Sequence, residues 1–176
     1  MLELVDPVGY PRIQPQAQRR SLDTTVGRRV GFIWNQYPVT RGFWPHLERE
    51  LEGLCKPAKI ERAYKNNTWA PLEAAKFKQI ADAVDYLVVG VGACGSCTGA
   101  AVRDAFAAWK VGMPAVVLVH EPFTALAKAQ FQALGAKDPT MLVYKQDVPA
   151  RETEDEIVGK ARLVAAEVVK LLSGNP

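Results

Sequence analysis

The stretch LVVGVGACGSCTGAAV, Leu87 to Val102, decides how the chain is read. Extended upstream to DYLVVGV, its first half is an unbroken apolar run of strand length, the kind that a sheet buries on both faces. Gly90, Gly92 and Gly95 punctuate the turn that follows, and Ser96, Cys97 and Thr98 stand where a helix opens. Beyond them Val102, Ala105, Phe106 and Trp109 recur at helical spacing, and the pattern stops before Gly112. The stretch is therefore strand, tight turn and helix, the repeating unit of a parallel α/β sheet. The turn also carries two patterns of different chemistry, Cys-x-x-Cys and G-x-G-x-x-G.

The same alternation extends on both sides. RVGFIW (Arg29 to Trp34) and AVVLVH (Ala115 to His120) read as buried strands, AKIERAY and TMLVYK as weaker ones. Phe43, Trp44, Leu47, Leu51 and Leu54 share one helical face, with Pro45 tolerated in the first turn. Leu72, Ala75, Ile80 and Ala81 form a second helix, starting after Pro71. Phe123, Leu126, Ala127, Phe131 and Leu134 form another, stopped by Gly135. Ile157, Ala161, Val164, Val168 and Leu172 make the last, with Thr153 to Glu156 placed as a capping box. Alternating strands and helices predict a single three-layer αβα domain over residues 29–176, its sheet mostly parallel, five-stranded and of flavodoxin-like order 2-1-3-4-5. Residues 1–28, aperiodic and rich in Pro, Gln and Arg, predict an irregular arm packed over that domain.

The chain's 176 residues suffice for one sizeable core, and 48% apolar with 23% charged residues is ordinary globular composition. A net charge of +3 is too mild to argue for nucleic acid. The opening MLELVDPVGYP is not a secretory signal, and the apolar runs are too short to span a bilayer. The expectation is a soluble, cytoplasmic protein with neither a nucleic-acid nor a membrane partner. Three cysteines, Cys55, Cys94 and Cys97, are an odd number in a chain that needs no staples, which argues against a secreted disulfide framework.

In an open parallel sheet, ligands sit at the carboxyl ends of the strands, near the switch point between the first and third. Three loops meet that description: Asn35 to Gly42, the GACGSCTG turn, and His120 to Phe123. Cys94 precedes the helix, facing its free amides and the positive end of its dipole, an environment that favours thiolate. Cys97 is spaced to resolve a mixed disulfide or sulfenic acid formed on Cys94. The G-x-G-x-x-G match follows the third strand rather than the first, and the acid expected about 20 residues on is met only loosely by Glu121. No cofactor is expected. No metal is expected either, since one Cys-x-x-Cys and two histidines, His46 and His120, do not make a closed zinc site.

GVGACGSCTGAAVRDAF closely resembles the signature of the UGSC family, whose members carry selenocysteine or cysteine, then Gly-Ser-Cys-Thr, at the end of a central strand. The resemblance covers nearly the whole chain, from LVDPVG through VGFIWNQYP to AVVLVHEPFTALAKAQFQALG. It implies that Cys94 occupies the selenocysteine position, and hence thiol redox or nucleophilic chemistry. The sequence departs from the family pattern at WNQYP, where Asp-Asn-Thr-Lys-Pro is frequent, and at VHEPF, where acid-acid-Phe is common.

The expected function is a thiol-dependent enzyme acting on a small electrophilic or reducible molecule, with Cys94 as nucleophile and Cys97 as resolving or supporting thiol. Gly92 and Gly95 would let the backbone turn sharply and a substrate approach, and Ser96, Thr98 and the local amides would receive developing negative charge. His120 is a candidate acid or base, Glu121 a proton donor or orienting carboxylate, and Asn35 a hydrogen-bond donor to substrate or part of an Asx turn. An external thiol or reductase would restore the pair, and the chain is expected to form a homodimer. The alternatives are a non-redox, Cys94-based lyase- or racemase-like enzyme, a nucleotide- or flavin-binding module, and a redox subunit of a larger complex. Lys65 reads as solvated, Arg103 and Asp104 as helix-surface support, Cys55 as inert, and the four tryptophans as core or subunit contacts.

Overall fold

The computed structural model describes residues 20–145 and 151–174, so the first nineteen residues of the expected arm lie outside it. Strands β1 (Arg29–Trp34), β2 (Lys59–Tyr64), β3 (Tyr86–Gly92), β4 (Ala115–His120) and β5 (Met141–Tyr144) alternate with helices α1 (Phe43–Cys55), α2 (Ala74–Ala83), α3 (Gly95–Lys110), α4 (Thr124–Ala133) and α5 (Glu154–Ser173). All strand pairs are parallel and the order is β2-β1-β3-β4-β5, as the alternation predicts. The chain reverses direction across the sheet after β2, which leaves the β1 and β3 ends side by side at the switch point.

Strand pleating divides the core in two. Val30, Phe32, Trp34, Tyr86, Val88, Val116 and Leu118 meet the apolar faces of α1 and α5. Ile33, Leu87, Val89, Val117 and Val119 meet α2, α3 and α4. The final helix starts at the expected capping box: Thr153 Oγ1 accepts from the Glu156 amide, and Glu156 reaches back to the Thr153 amide. Residues 20–28 form bends and turns, tied down by Leu22 N donating to Leu172 O and Gly27 N to Cys55 O. Trp34, Trp44 and Trp109 are in the core, whereas Trp69 is exposed.

At the amino ends of the strands, Asp85 binds the first residue of β1. It accepts from the Arg29 amide and the Arg29 guanidinium, each at 2.8 Å. These hydrogen bonds hold the Asp85 carboxyl below its usual range. A carboxyl depressed in the folded state stabilises the fold above its unfolded value of about 4 and stops doing so as the pH falls through the lower folded value. Asp85→Asn should therefore lower the urea midpoint modestly at neutral pH, and the two curves should converge below about pH 4. Parallel curves across that range would remove Asp85 from the acid response.

Candidate functional site

The end of β3 breaks the strand's alternation. Its register against β4 shifts between Val89 and Gly92. Gly90 faces Trp44, Val91 joins the core on that same side, and the peptide bond between them is cis. A Cβ on Gly90 would sit 2.5 Å from Trp44 Cζ3. That ring cannot easily yield, because it stacks on Trp34 and donates to Glu48 at 2.7 Å. Gly90→Ala should consequently lower stability by about 1–3 kcal/mol, as overpacked cores do. An unchanged unfolding midpoint would show that the indole can move aside.

Asn35 holds this strand end in place. Its amide donates to Gly90 O at 3.0 Å, its Nδ2 donates to Val91 O at 2.8 Å, and its Oδ1 accepts from the Val91 and Tyr37 amides, each at 3.3 Å. The side chain is 1% exposed. Asn35 is thus engaged with the β3 backbone and with the Tyr37 amide, the latter in the Asx-type turn that was one of its two sequence readings.

Past Ala93 the chain turns into α3 with Cys94 as its N-cap. Cys94 Sγ accepts from the Cys97 amide at 3.1 Å, a position usually filled by Ser, Thr, Asp or Asn. Thr98 closes the turn: its amide and hydroxyl both donate to Cys94 O, at 3.0 and 2.6 Å. Gly92 makes this possible, since a Cβ there would lie 3.1 Å from Thr98 Oγ1 and 3.3 Å from Val119 Cγ2. Cys94 and Cys97 are joined as a disulfide. Cys94 is half-buried and Gly95 and Ser96 are exposed, while Cys97 and Thr98 are fully buried. Ser96 Oγ lies 3.6 Å from Cys94 Sγ.

The β4 residues stand beside this turn but face elsewhere. Gly92 pairs with Val119, so β4 ends next to the strand that delivers Cys94. His120 is 1% exposed, and its Nε2 lies 3.0 Å from Tyr144 Oη. The pleat places both rings on the α1 and α5 side of the sheet, opposite α3. Burial raises the Tyr144 phenol well above its ordinary pKa. Glu121 opens a short 3-10 turn, Glu121–Phe123, and is exposed 3.8 Å from Lys145 Nζ.

Two residues read as ordinary surface groups are nothing of the kind. Lys65 and Asp104 side chains are each 2% exposed and paired at 2.6 Å. Lys65 Nζ also donates to Ala70 O at 2.9 Å, and Asp104 Oδ1 accepts from the Leu72 amide at 2.6 Å. The loop after β2 is pinned to α3 by this pair, which corrects the reading of Lys65 as solvated and Asp104 as surface support. A groove of about 520 Å³ runs between β2 and α2, and no residue of the 93–98 turn lines it. Among the described residues, no group of three or more His, Cys, Asp or Glu is placed to hold a metal ion, and no helix is long and apolar enough to cross a membrane.

A parallel α/β sheet of flavodoxin-like order, with a Cys-Gly-Ser-Cys pair at the amino end of the helix after its central strand, defines a class of thiol-bearing domains. The chain belongs to the UGSC family, whose model matches residues 3–174. No curated protein matches the chain significantly.

Proposed function

We propose that the chain is a thiol-dependent enzyme in which Cys94 is the reactive sulfur and Cys97 resolves it. The observation that carries this reading is the unequal access of the two bonded sulfurs: Cys94 is half-buried at the helix end and Cys97 is sealed beneath it. When the pair is reduced, the helix dipole and the Cys97 amide both favour thiolate at Cys94. With a small disulfide as substrate, the Cys94 thiolate attacks one sulfur and the other leaves and takes up a proton. Cys97, its proton lost to solvent, then attacks Cys94 Sγ and expels the second substrate sulfur. The substrate gains two electrons and two protons, and the pair becomes the Cys94–Cys97 disulfide. An external dithiol or reductase returns the electrons.

Asn35 and Thr98 position the turn in this scheme, and Ser96 with the exposed Gly95 amide receives negative charge. Glu121, exposed beyond the end of β4, is the candidate for proton handling, while His120, buried with its ring on the opposite face of the sheet from α3, takes no part. A cytoplasmic setting, where thiols are kept reduced, suits the cycle. A homodimer is also proposed, with exposed Leu54 and Leu163 as the residues to probe: Leu163→Glu should shift the light-scattering mass from dimer to monomer, and a monomeric parent would dispose of the idea.

Iodoacetamide labelling of the reduced protein against pH, read by mass spectrometry, tests the central claim. Cys94 should label first, with an apparent pKa below the ordinary thiol value of about 8.5, while Cys97 stays largely protected. Ordinary titration at Cys94, or faster labelling at Cys97, would overturn the assignment.

A further inference from the structure

The outer face of α3, beside the thiol turn, carries a cation that the fold does not neutralise. Arg29, Arg62 and Arg162 each meet a carboxylate, but among the described residues none pairs with Arg103. Its neighbour Asp104, the one acid of α3, is sealed against the loop after β2 and matched there by Lys65. Helix α4 has no acid, so the exposed charged side chains of the two helices are Arg103, Lys110 and Lys128. Glu121, just before α4, lies 3.8 Å from Lys145 Nζ. The Arg103 guanidinium is also drawn back toward the turn. Its Nη1 lies 3.5 Å from Gly99 O, over a position without a side chain. A Cβ on Gly99 would sit 3.4 Å from that Nη1 and 4.0 Å from Gln130 Oε1 of α4. Gly99 is one turn beyond Gly95 and Ser96, about 5 Å along the helix axis. Residues at that spacing share a face, so the guanidinium lies on the side of α3 that exposes Gly95 and Ser96.

We propose that Arg103 sets the substrate class of the thiol turn: its guanidinium binds a carboxylate of the molecule that Cys94 attacks. The assignment rests on Cys94 as the reactive sulfur. The planar fork of an arginine matches both oxygens of a carboxylate, and the Gln130 amide, on the other side of Gly99, can donate one hydrogen bond more. A carboxylate held one helical turn from Cys94 leaves room for a few bonds between it and the sulfur under attack, which describes a small organic acid bearing a disulfide. The acid-free face of α3 and α4 draws such anions toward the turn. In the step itself Cys94 Sγ bonds one substrate sulfur, the substrate S–S bond breaks, and its electron pair leaves on the other sulfur, which takes up a proton from solvent. The carboxylate stays ionised on Arg103 throughout.

The test compares two aryl disulfides with the reduced full chain in stopped flow: dithiobis(nitrobenzoate), which carries carboxylates, and dithiodipyridine, which is neutral. Absorbance reads the thiol each releases. The ratio of the second-order rate constants, carboxylated over neutral, should fall at least about tenfold from the parent to Arg103→Gln, the loss of a charged hydrogen bond, and recover in part in Arg103→Lys. Added salt should lower the ratio in the parent and barely move it in Arg103→Gln. A ratio unchanged in Arg103→Gln, whether both rates hold or both fall, would overturn the role of Arg103 while leaving Cys94 in place. Dithiodipyridine reacting as fast with Cys94→Ser as with the parent would instead overturn the reading of Cys94, and the substrate class with it.

Discussion

Cys94→Ser is expected to slow the reaction of the reduced protein with a chromogenic aryl disulfide by at least about a hundredfold, because the remaining sulfur of the pair is sealed from solvent. Cys55 does not substitute for it, being 1% exposed with its Sγ directed to Thr25 Oγ1 at 3.4 Å. Cys97→Ser should behave differently. It retains the attacking sulfur, so the first aryl thiolate appears rapidly, but the aryl group then stays on Cys94 because nothing displaces it. Mass spectrometry should find that adduct in Cys97→Ser and an intramolecular disulfide in the parent chain. If Cys94→Ser reacted as fast as the parent, the reactive sulfur would have to be another one. If Cys97→Ser failed to retain the adduct, the resolving role would pass from Cys97 to some other group. The variant pair thus tests the two halves of the proposed cycle separately.

Lys65→Met should be the most destabilising single substitution on the β2 side of the sheet. It removes the ammonium and leaves the Asp104 carboxylate buried with one backbone amide for company. Breaking a buried pair in this way costs about 3–5 kcal/mol, whereas replacing both partners with apolar residues of similar volume is often close to neutral. Lys65→Met with Asp104→Leu should therefore recover much of the lost stability in urea unfolding. The pH dependence follows from burial, which raises the Asp104 carboxyl above its ordinary value even with Lys65 nearby. A carboxyl raised in the folded state favours folding at low pH, and that contribution is lost as the pH rises through the folded value. Without Lys65 the rise is larger, so the penalty of Lys65→Met should shrink on acidification toward about pH 4. A penalty independent of pH, or a double variant weaker than the single one, would mean that the carboxyl is not what the ammonium compensates.

What the sequence made legible was whatever repeats at short range. The apolar runs at Arg29 to Trp34 and Ala115 to His120 coincide with β1 and β4, and the Thr153 to Glu156 pattern is the cap of α5. The sheet order followed because alternating strands and helices admit few parallel topologies. The thiol turn was legible for the same reason, its helix beginning within a few residues of its strand. Asn35 binds a strand end 56 residues away, and Lys65 binds a carboxylate 39 residues away. Neither distance leaves a local signature, and a lysine after a strand has the composition of a surface loop. Glu48 looked like one more polar position on α1, and only the Trp44 indole, the Tyr64 hydroxyl and Arg62 around it show why it is buried.

The two outer strands carry a further consequence. β5 spans only Met141–Tyr144, and β2, paired on one side alone, holds Lys59, Glu61 and Arg62 within its six residues. Short length and charge are the means by which parallel sheets keep their open edges from accepting another chain. Neutralising Lys59, Glu61 and Arg62 together would leave an apolar margin along β2, where one molecule could extend the sheet of the next into insoluble fibres.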